Sequence, residues 1–226
     1  MNAEEIPQIL TILKEGEMTL RGQFVHGSNY TFLTTIVRGD IEYRAVYKPV
    51  RGEQPLWDFP PGTLSGREVA AYLVSESLGW QLVPPTVYRR KAPLGAGSVQ
   101  LYIEHDPEYH YFSFTPEDRQ RLRPVVLFDL VVNNADRKGG HILIDESNHL
   151  WLIDHGICFH VEDKLRTVIW DFAGEPIPAD LLNDLTRLLN EIEQNGDLVQ
   201  RLKPFLSIAE INAMARRTRR LIKNGC

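Results

Sequence analysis

The residues with the most chemistry in them lie in one stretch, Leu130 to Phe159, which reads LVVNNADRKGGHILIDESNHLWLIDHGICF. Asp136 follows an apolar run, and Lys138, Gly139, Gly140 and His141 come directly after it. A carboxylate in such a loop can accept the proton of an acceptor hydroxyl. Lys138 can neutralise charge on a migrating phosphoryl group, and the glycine pair allows close backbone approach. Farther along, Asp154 ends a second short apolar run and is followed by His155 and Gly156. A carboxylate there is suited to gripping a divalent metal between phosphates. Phosphoryl transfer from a nucleotide needs little more than this: a loop over the phosphates, a lysine, an orienting carboxylate and oxygen ligands for the metal. By themselves the same residues also read as a polar glycine loop and a hairpin turn.

The elements that must position them follow from pattern. Ile6, Ile9, Leu10 and Leu13 form one stripe of a helix over about 3–14. Residues 18–50 are aromatic and β-branched runs broken at His26–Asn29 and Arg38–Asp40, which predicts three antiparallel strands. A helix is expected over 65–80, with Ala70, Ala71, Leu73, Val74 and Leu78 as its apolar positions. Strands are expected in VPPTVYRR and SVQLYIEHD. Thr115-Pro116-Glu117-Asp118 is a helix start, with a hydroxyl cap, proline in the first turn and acids at the positive end. Pro124 kinks or restarts that helix before the apolar run Val125–Val132. A hairpin over 141–156 and helices over 179–194 and 208–223 complete the chain, the last with a Ser207…Glu210 capping box and an Asn224-Gly225 stop. The fold class is α+β and bilobal: one domain over 1–226, with a β-rich lobe at about 15–104 and a mostly helical lobe at about 105–226.

Asn133-Asn134-Ala135-Asp136-Arg137 followed by Ile153-Asp154-His155-Gly156 resembles the catalytic and metal-binding loops of the phosphatidylinositol 3- and 4-kinase superfamily. The cadence is most similar to type II phosphatidylinositol 4-kinases, which read Asn-Thr-Asp-Arg-Gly and later Ile-Asp-Asn-Gly. The chain as a whole resembles actinobacterial-type proteins distantly similar to those kinases. This resemblance implies a small protein-kinase-like fold, ATP as the nucleotide, Mg²⁺ or Mn²⁺ as the metal, and catalytic roles for Asp136 and Lys138. It implies that Lys48, in Val46-Tyr47-Lys48-Pro49, contacts the α- and β-phosphates and that Glu68 orients it. Gly27, Ser28 and Asn29 would belong to the phosphate-covering loop. Leu101, Tyr102 and Ile103 would form the hinge beside adenine. Asp154 would bind the metal, and Asn133 or Asn134 would position Asp136. One position departs from the pattern: five residues after Asp136 these kinases carry asparagine, the second metal ligand, whereas this chain carries His141. Imidazole shifts metal preference from Mg²⁺ toward Mn²⁺ or Zn²⁺.

Other classes compete with the kinase reading. A pseudokinase, binding nucleotide or serving as a scaffold, would keep the cleft without turnover. The set His141, His149, Asp154, His155, Cys158 and His160 raises a metal-dependent hydrolase, although its spacing matches no closed zinc template. Arg216, Arg217, Arg219, Arg220 and Lys223 could contact a membrane surface, or simply complement a helix C-terminus. In the segment 168–176, Trp170 and Phe172 are placed either to face a substrate or to pack on the core. A net charge of −5 argues against a broad nucleic-acid footprint. No apolar run reaches the roughly 18–20 residues of a membrane helix. The acidic first residues and only two cysteines, Cys158 and Cys226, predict a cytoplasmic protein without disulfides.

Overall fold

A computed structural model of the chain describes residues 4–24 and 29–225. Helix α1 (Ile6–Glu15) leads into strands β1 (Glu17–Gln23), β2 (Phe32–Arg38) and β3 (Ile41–Pro49). Helix α2 (Leu64–Leu78) intervenes before β4 (Thr86–Arg89) and β5 (Gly97–Leu101), and the five strands form one antiparallel sheet in the order β1-β2-β3-β5-β4. Of the stripe predicted on α1, Ile9 and Leu13 are buried, joined by Ile12, against Ile36, Ala45, Tyr47 and Val99 of the sheet, whereas Ile6 and Leu10 are only half-buried. The strand predicted in SVQLYIEHD is shorter than expected and ends at Leu101, with Tyr102 N–H making one last bond in the β3–β5 register, to Arg44 O (3.0 Å). Beyond it the chain crosses to the other lobe.

The second lobe is helical around one hairpin. Thr115 caps α3 (Pro116–Gln120), accepting from Asp118 N–H at 3.2 Å, and Pro124 restarts the chain as α4 (Arg123–Val132). Asn133 ends α4 in the left-handed region, at φ 55°. After it come the hairpin β6 (Ile142–Ile144) and β7 (Leu150–Leu152), then α5 (Ala179–Glu193), α6 (Asp197–Leu202) and α7 (Ile208–Asn224). The short α6 carries no sequence signal beyond an acid in its first turn. The capping box of α7 forms as expected, with Ser207 and Glu210 each bonding the other's backbone N–H, and Gly225 closes the helix at φ 70°.

Helix α2 is the structural surprise. Only Glu76 and Ser77 among its residues escape burial, and its apolar positions merge with α4, α5, α6 and α7 in the larger core. It lies between the β-rich lobe and the helical lobe and belongs mechanically to both. Its N-terminus is capped from outside: the Glu53 carboxylate accepts from Leu64 N–H (3.2 Å) and Ser65 N–H (2.8 Å), satisfying donors that a helix leaves open. Among the described residues no helix is long and apolar enough to cross a membrane.

Candidate active site between the lobes

A cavity of about 490 Å³ lies between the lobes. From the sheet, Val46, Lys48 and Gln100 line it; from α2, Leu64 and Glu68; from the crossing segment, Leu101, Tyr102 and Ile103. Asp136, Lys138 and His141 reach it from the loop after α4, and Asp154 from the loop after β7. Asn29 is on its rim, with its Oδ1 accepting from Gln54 N–H (2.7 Å). Gly27 and Ser28 lie outside the described residues.

The charged groups converge on Lys48. Its ammonium donates to Glu68 Oε1 and, at 2.9 Å, to Asp154 Oδ1. Burial works against the lysine's charge, but the two carboxylates outweigh it and hold its pKa above the ordinary value. The same pairing keeps Asp154 ionised far below the usual carboxylate range. The second oxygen of Glu68 accepts the His155 N–H (2.9 Å), so one carboxylate spans from β3 to the loop carrying Asp154. Asp154 itself stands at φ 63°, a conformation uncommon for a residue with a side chain, and half of its side chain faces solvent.

On the opposite wall Asp136 pairs with Lys138 at 2.8 Å and has Arg166 at 3.9 Å. Asn134 accepts the Asp136 N–H (3.0 Å), whereas Asn133 faces away and bonds the backbone of His160, Glu162 and Lys164. Of the two asparagines left open by the sequence, Asn134 holds the Asp136 loop. Beneath it is a group the sequence reading missed. The Arg137 guanidinium is buried, donates twice to Asp129 (2.9 and 2.8 Å), reaches Ile153 O (3.0 Å), and meets His155 Nε2 at 2.9 Å. Arg137 therefore ties together the Asp136 loop, α4 and the Asp154 loop. The available signal was Asp129, a lone carboxylate inside the apolar run VVLFDLVV, which can be buried only with a cationic partner.

His141 Nε2 stands 3.4 Å from Asp154 Oδ2. Burial, reinforced by nearby Arg137, Lys138 and Lys48, pushes its pKa down to about 4, so the imidazole is neutral at physiological pH and can act as a ligand. The other members of the histidine and cysteine set disperse. His149 bonds Gln81 O, His155 is enclosed by Arg137 and Phe128, Cys158 is buried with its thiol pKa pushed up, and His160 packs edge-on to Phe59. Among the described residues no group of three or more His, Cys, Asp or Glu is arranged to hold an ion. One carboxylate with one imidazole does suit an ion completed by phosphate oxygens and water.

The sequence of the site's surroundings has relatives. The sequence profile of the phosphatidylinositol 3- and 4-kinase family matches residues 62–221. The chain belongs to this family. "Protein Rv2133c" of Mycobacterium tuberculosis is 39% identical over 246 residues, an alignment covering 93% of this chain and 87% of that protein. "Phosphatidylinositol 4-kinase gamma 4" of Oryza sativa subsp. japonica is 30% identical over 131 residues, 49% of this chain and 23% of that much longer protein. Among solved structures, Golgi casein kinase with Mn/ADP bound superposes with a TM-score of 0.66 at 15% identity, covering 99% of this chain and 76% of that one. The likeness establishes the protein-kinase-like fold, bilobal and α+β, and the family profile establishes membership of the kinase superfamily of phosphotransferases.

The basic stretch of α7 does not form one face: Arg217 turns inward while Arg219 and Arg220 stay exposed in ion pairs. Arg217 is buried and donates to Val131 O (3.1 Å) and His160 O (3.2 Å), because α7 packs on the end of α4. Arg219 pairs with Glu193 and Arg220 with Asp163. Arg216 and Lys223 lie outside these two pairs. Trp170 and Phe172 divide as well: Phe172 lies under the Arg123 guanidinium, whereas Trp170 is 66% exposed.

Proposed function

We propose that the chain is an ATP-dependent phosphotransferase that moves the γ-phosphate to a hydroxyl group on a lipid, protein or small molecule. The observation that carries the reading is the Lys48 ammonium held between Glu68 and Asp154 in the cavity that also receives Asp136. In this reading 1–226 is one kinase domain whose lobes, about 15–104 and 105–226, enclose the nucleotide. Adenine lies against Leu101, Tyr102 and Ile103, and the phosphates lie under the loop containing Gly27, Ser28 and Asn29. The chain's two cysteines, far apart in sequence, are what supports a cytoplasmic protein.

Lys48, kept charged by its two carboxylates, holds the α- and β-phosphates. Asp154 and His141 hold a divalent ion, Mn²⁺ being the better match for an imidazole; the bound ion supplies charge neutralisation along the triphosphate. The Golgi casein kinase structure with Mn/ADP supports that choice by fold. Asp136 accepts the proton of the acceptor hydroxyl as the oxygen bonds the γ-phosphorus and the bond to the β,γ-bridging oxygen breaks, releasing ADP. Lys138 balances charge on the transferring group, and Asn134 keeps Asp136 aimed. Radiolabelled ATP with Mn²⁺, offered to the protein itself and to a panel of hydroxyl acceptors, tests this. Asp136→Ala should lower transfer by about 10²-fold or more. Transfer by Asp136→Ala at the wild-type rate would remove the reading.

A further inference from the structure

Two neighbouring residues of α2 grip the Asp154 loop from opposite directions. Glu68 faces the cleft and accepts the His155 N–H (2.9 Å). Arg67 faces away, is 1% exposed, and donates from Nη1 to Cys158 O (2.6 Å). Residues 155 and 158 are thus pinned to a single helical turn. The rest of the Arg67 guanidinium is also committed: Nη2 to Glu210, Nε to Thr63 Oγ1 (3.3 Å), and its plane against the Phe59 ring at 4.8 Å. Glu210 is fixed in turn, since its other oxygen receives the Ser207 N–H (2.7 Å) and hydroxyl (2.8 Å) at the start of α7.

A guanidinium so removed from water persists only with a carboxylate partner, and Glu210 is that partner. The loop it holds needs holding. Asp154 sits in the left-handed region and Phe159 does too, at φ 67°, so both ends of the 154–159 turn adopt backbone that side chains disfavour. Such a turn keeps its shape only where its surroundings over-determine it. We infer that Arg67, charge-balanced by Glu210, is a positioning residue: it fixes the Asp154–Cys158 loop and thereby sets the Asp154 carboxylate opposite Lys48. The inference rests on the reading of this cleft as a nucleotide site. It also makes the N-terminus of α7 part of the site's support, although that helix touches no cavity-lining charge.

Hydrogen exchange on the full-length protein without nucleotide tests the positioning directly, and ATP with Mn²⁺ in a thermal-shift titration tests its consequence. In Arg67→Met the amides of 155–158 should exchange at least about tenfold faster while those of α4 and α5 stay within about twofold. Arg67→Lys, which keeps the charge beside Glu210 but not the fork, should fall between. Affinity for ATP with Mn²⁺ should drop about tenfold in Arg67→Met. Loop exchange unchanged in a folded Arg67→Met, or faster to the same degree throughout the helices, would overturn the inference. If Arg67→Met does not fold, Glu210→Gln and the wild type decide. In the wild type the His155 amide should open with those of Val69–Ala71, to within about tenfold, and independent opening about 10²-fold faster overturns the inference without any substitution. Absence of ATP binding by the wild type would sink the functional reading and leave the exchange result to judge the clamp alone.

Discussion

Replacing Arg137 with leucine should be among the most damaging single changes in the molecule. The substitution leaves the Asp129 carboxylate, which is 0% exposed, with the Asn134 amide (3.1 Å) as its one side-chain partner among the described residues. It also strips a donor from Ile153 O and from His155 Nε2. Removing one partner of a buried ion pair costs about 3–5 kcal/mol. In a chain of this size each kcal/mol lowers the melting temperature by about 2–4 °C, so a fall of about 6–20 °C is expected. The double change Asp129→Leu with Arg137→Leu removes both charges together. It should recover at least about 2 kcal/mol, because apolar replacement of a whole buried pair is often close to neutral. Urea unfolding followed by far-ultraviolet circular dichroism measures both, provided the slopes agree. A loss below about 1 kcal/mol for the single change, or a double variant no more stable than the single, would refute the view that this pair is a charge compensated within the core.

Gly97 faces Pro49 across the β3–β5 ladder, and a Cβ there would overlap the Lys48 carbonyl oxygen and stand 2.8 Å from Pro49 Cα. Gly97→Ala should therefore cost about 1–3 kcal/mol in denaturant and weaken nucleotide binding by displacing Lys48, both measurable on one preparation. His141 titrates near 4 in the folded protein against 6.5 unfolded, so the unfolded chain binds the extra proton between these values. Stability should be full above pH 6.5 and lost as pH falls toward 4, by on the order of 3 kcal/mol from this group, and His141→Asn should flatten that part of the urea-midpoint profile. Ser207→Ala removes one half of the α7 capping box and should cost about 1 kcal/mol, visible as a melting shift of about 2–4 °C.

Much of the fold could be read from local pattern because its elements obey local rules. The Thr115 cap, the Pro124 restart, the Ser207…Glu210 box and the Gly225 stop are contacts within four residues, and all appear where the residue types demand them. The stripe on α1 likewise reports the single face it buries. Helix α2 resists such reading, since a helix buried nearly all round has no stripe, and it packs on β4 and β5 on one side and on α5 and α6, far along the chain, on the other. The site followed the same division. The sequence placed Asp136 and Lys138 on the loop after a helix and His141 and Asp154 near the ends of a hairpin, and the structure brings all four into one cavity with Lys48 and Glu68. The bonds that hold those loops were not legible because each crosses long stretches of chain: Arg67 to Cys158 and Glu210, Glu68 to His155, Arg137 to Ile153. In the basic run of α7, likewise, nothing local marks Arg217 as the one that turns inward under α4.

The central claim is that Lys48, Glu68 and Asp154 form a seat for a metal-bound nucleotide. Calorimetric titration of ATP with Mn²⁺ into the wild type and into Asp154→Asn tests it most directly. Saturable binding to the wild type, weakened at least about tenfold in Asp154→Asn while the variant's far-ultraviolet spectrum is unchanged, is the expected result. Equal affinity in both proteins, or no binding to the wild type, would contradict the account.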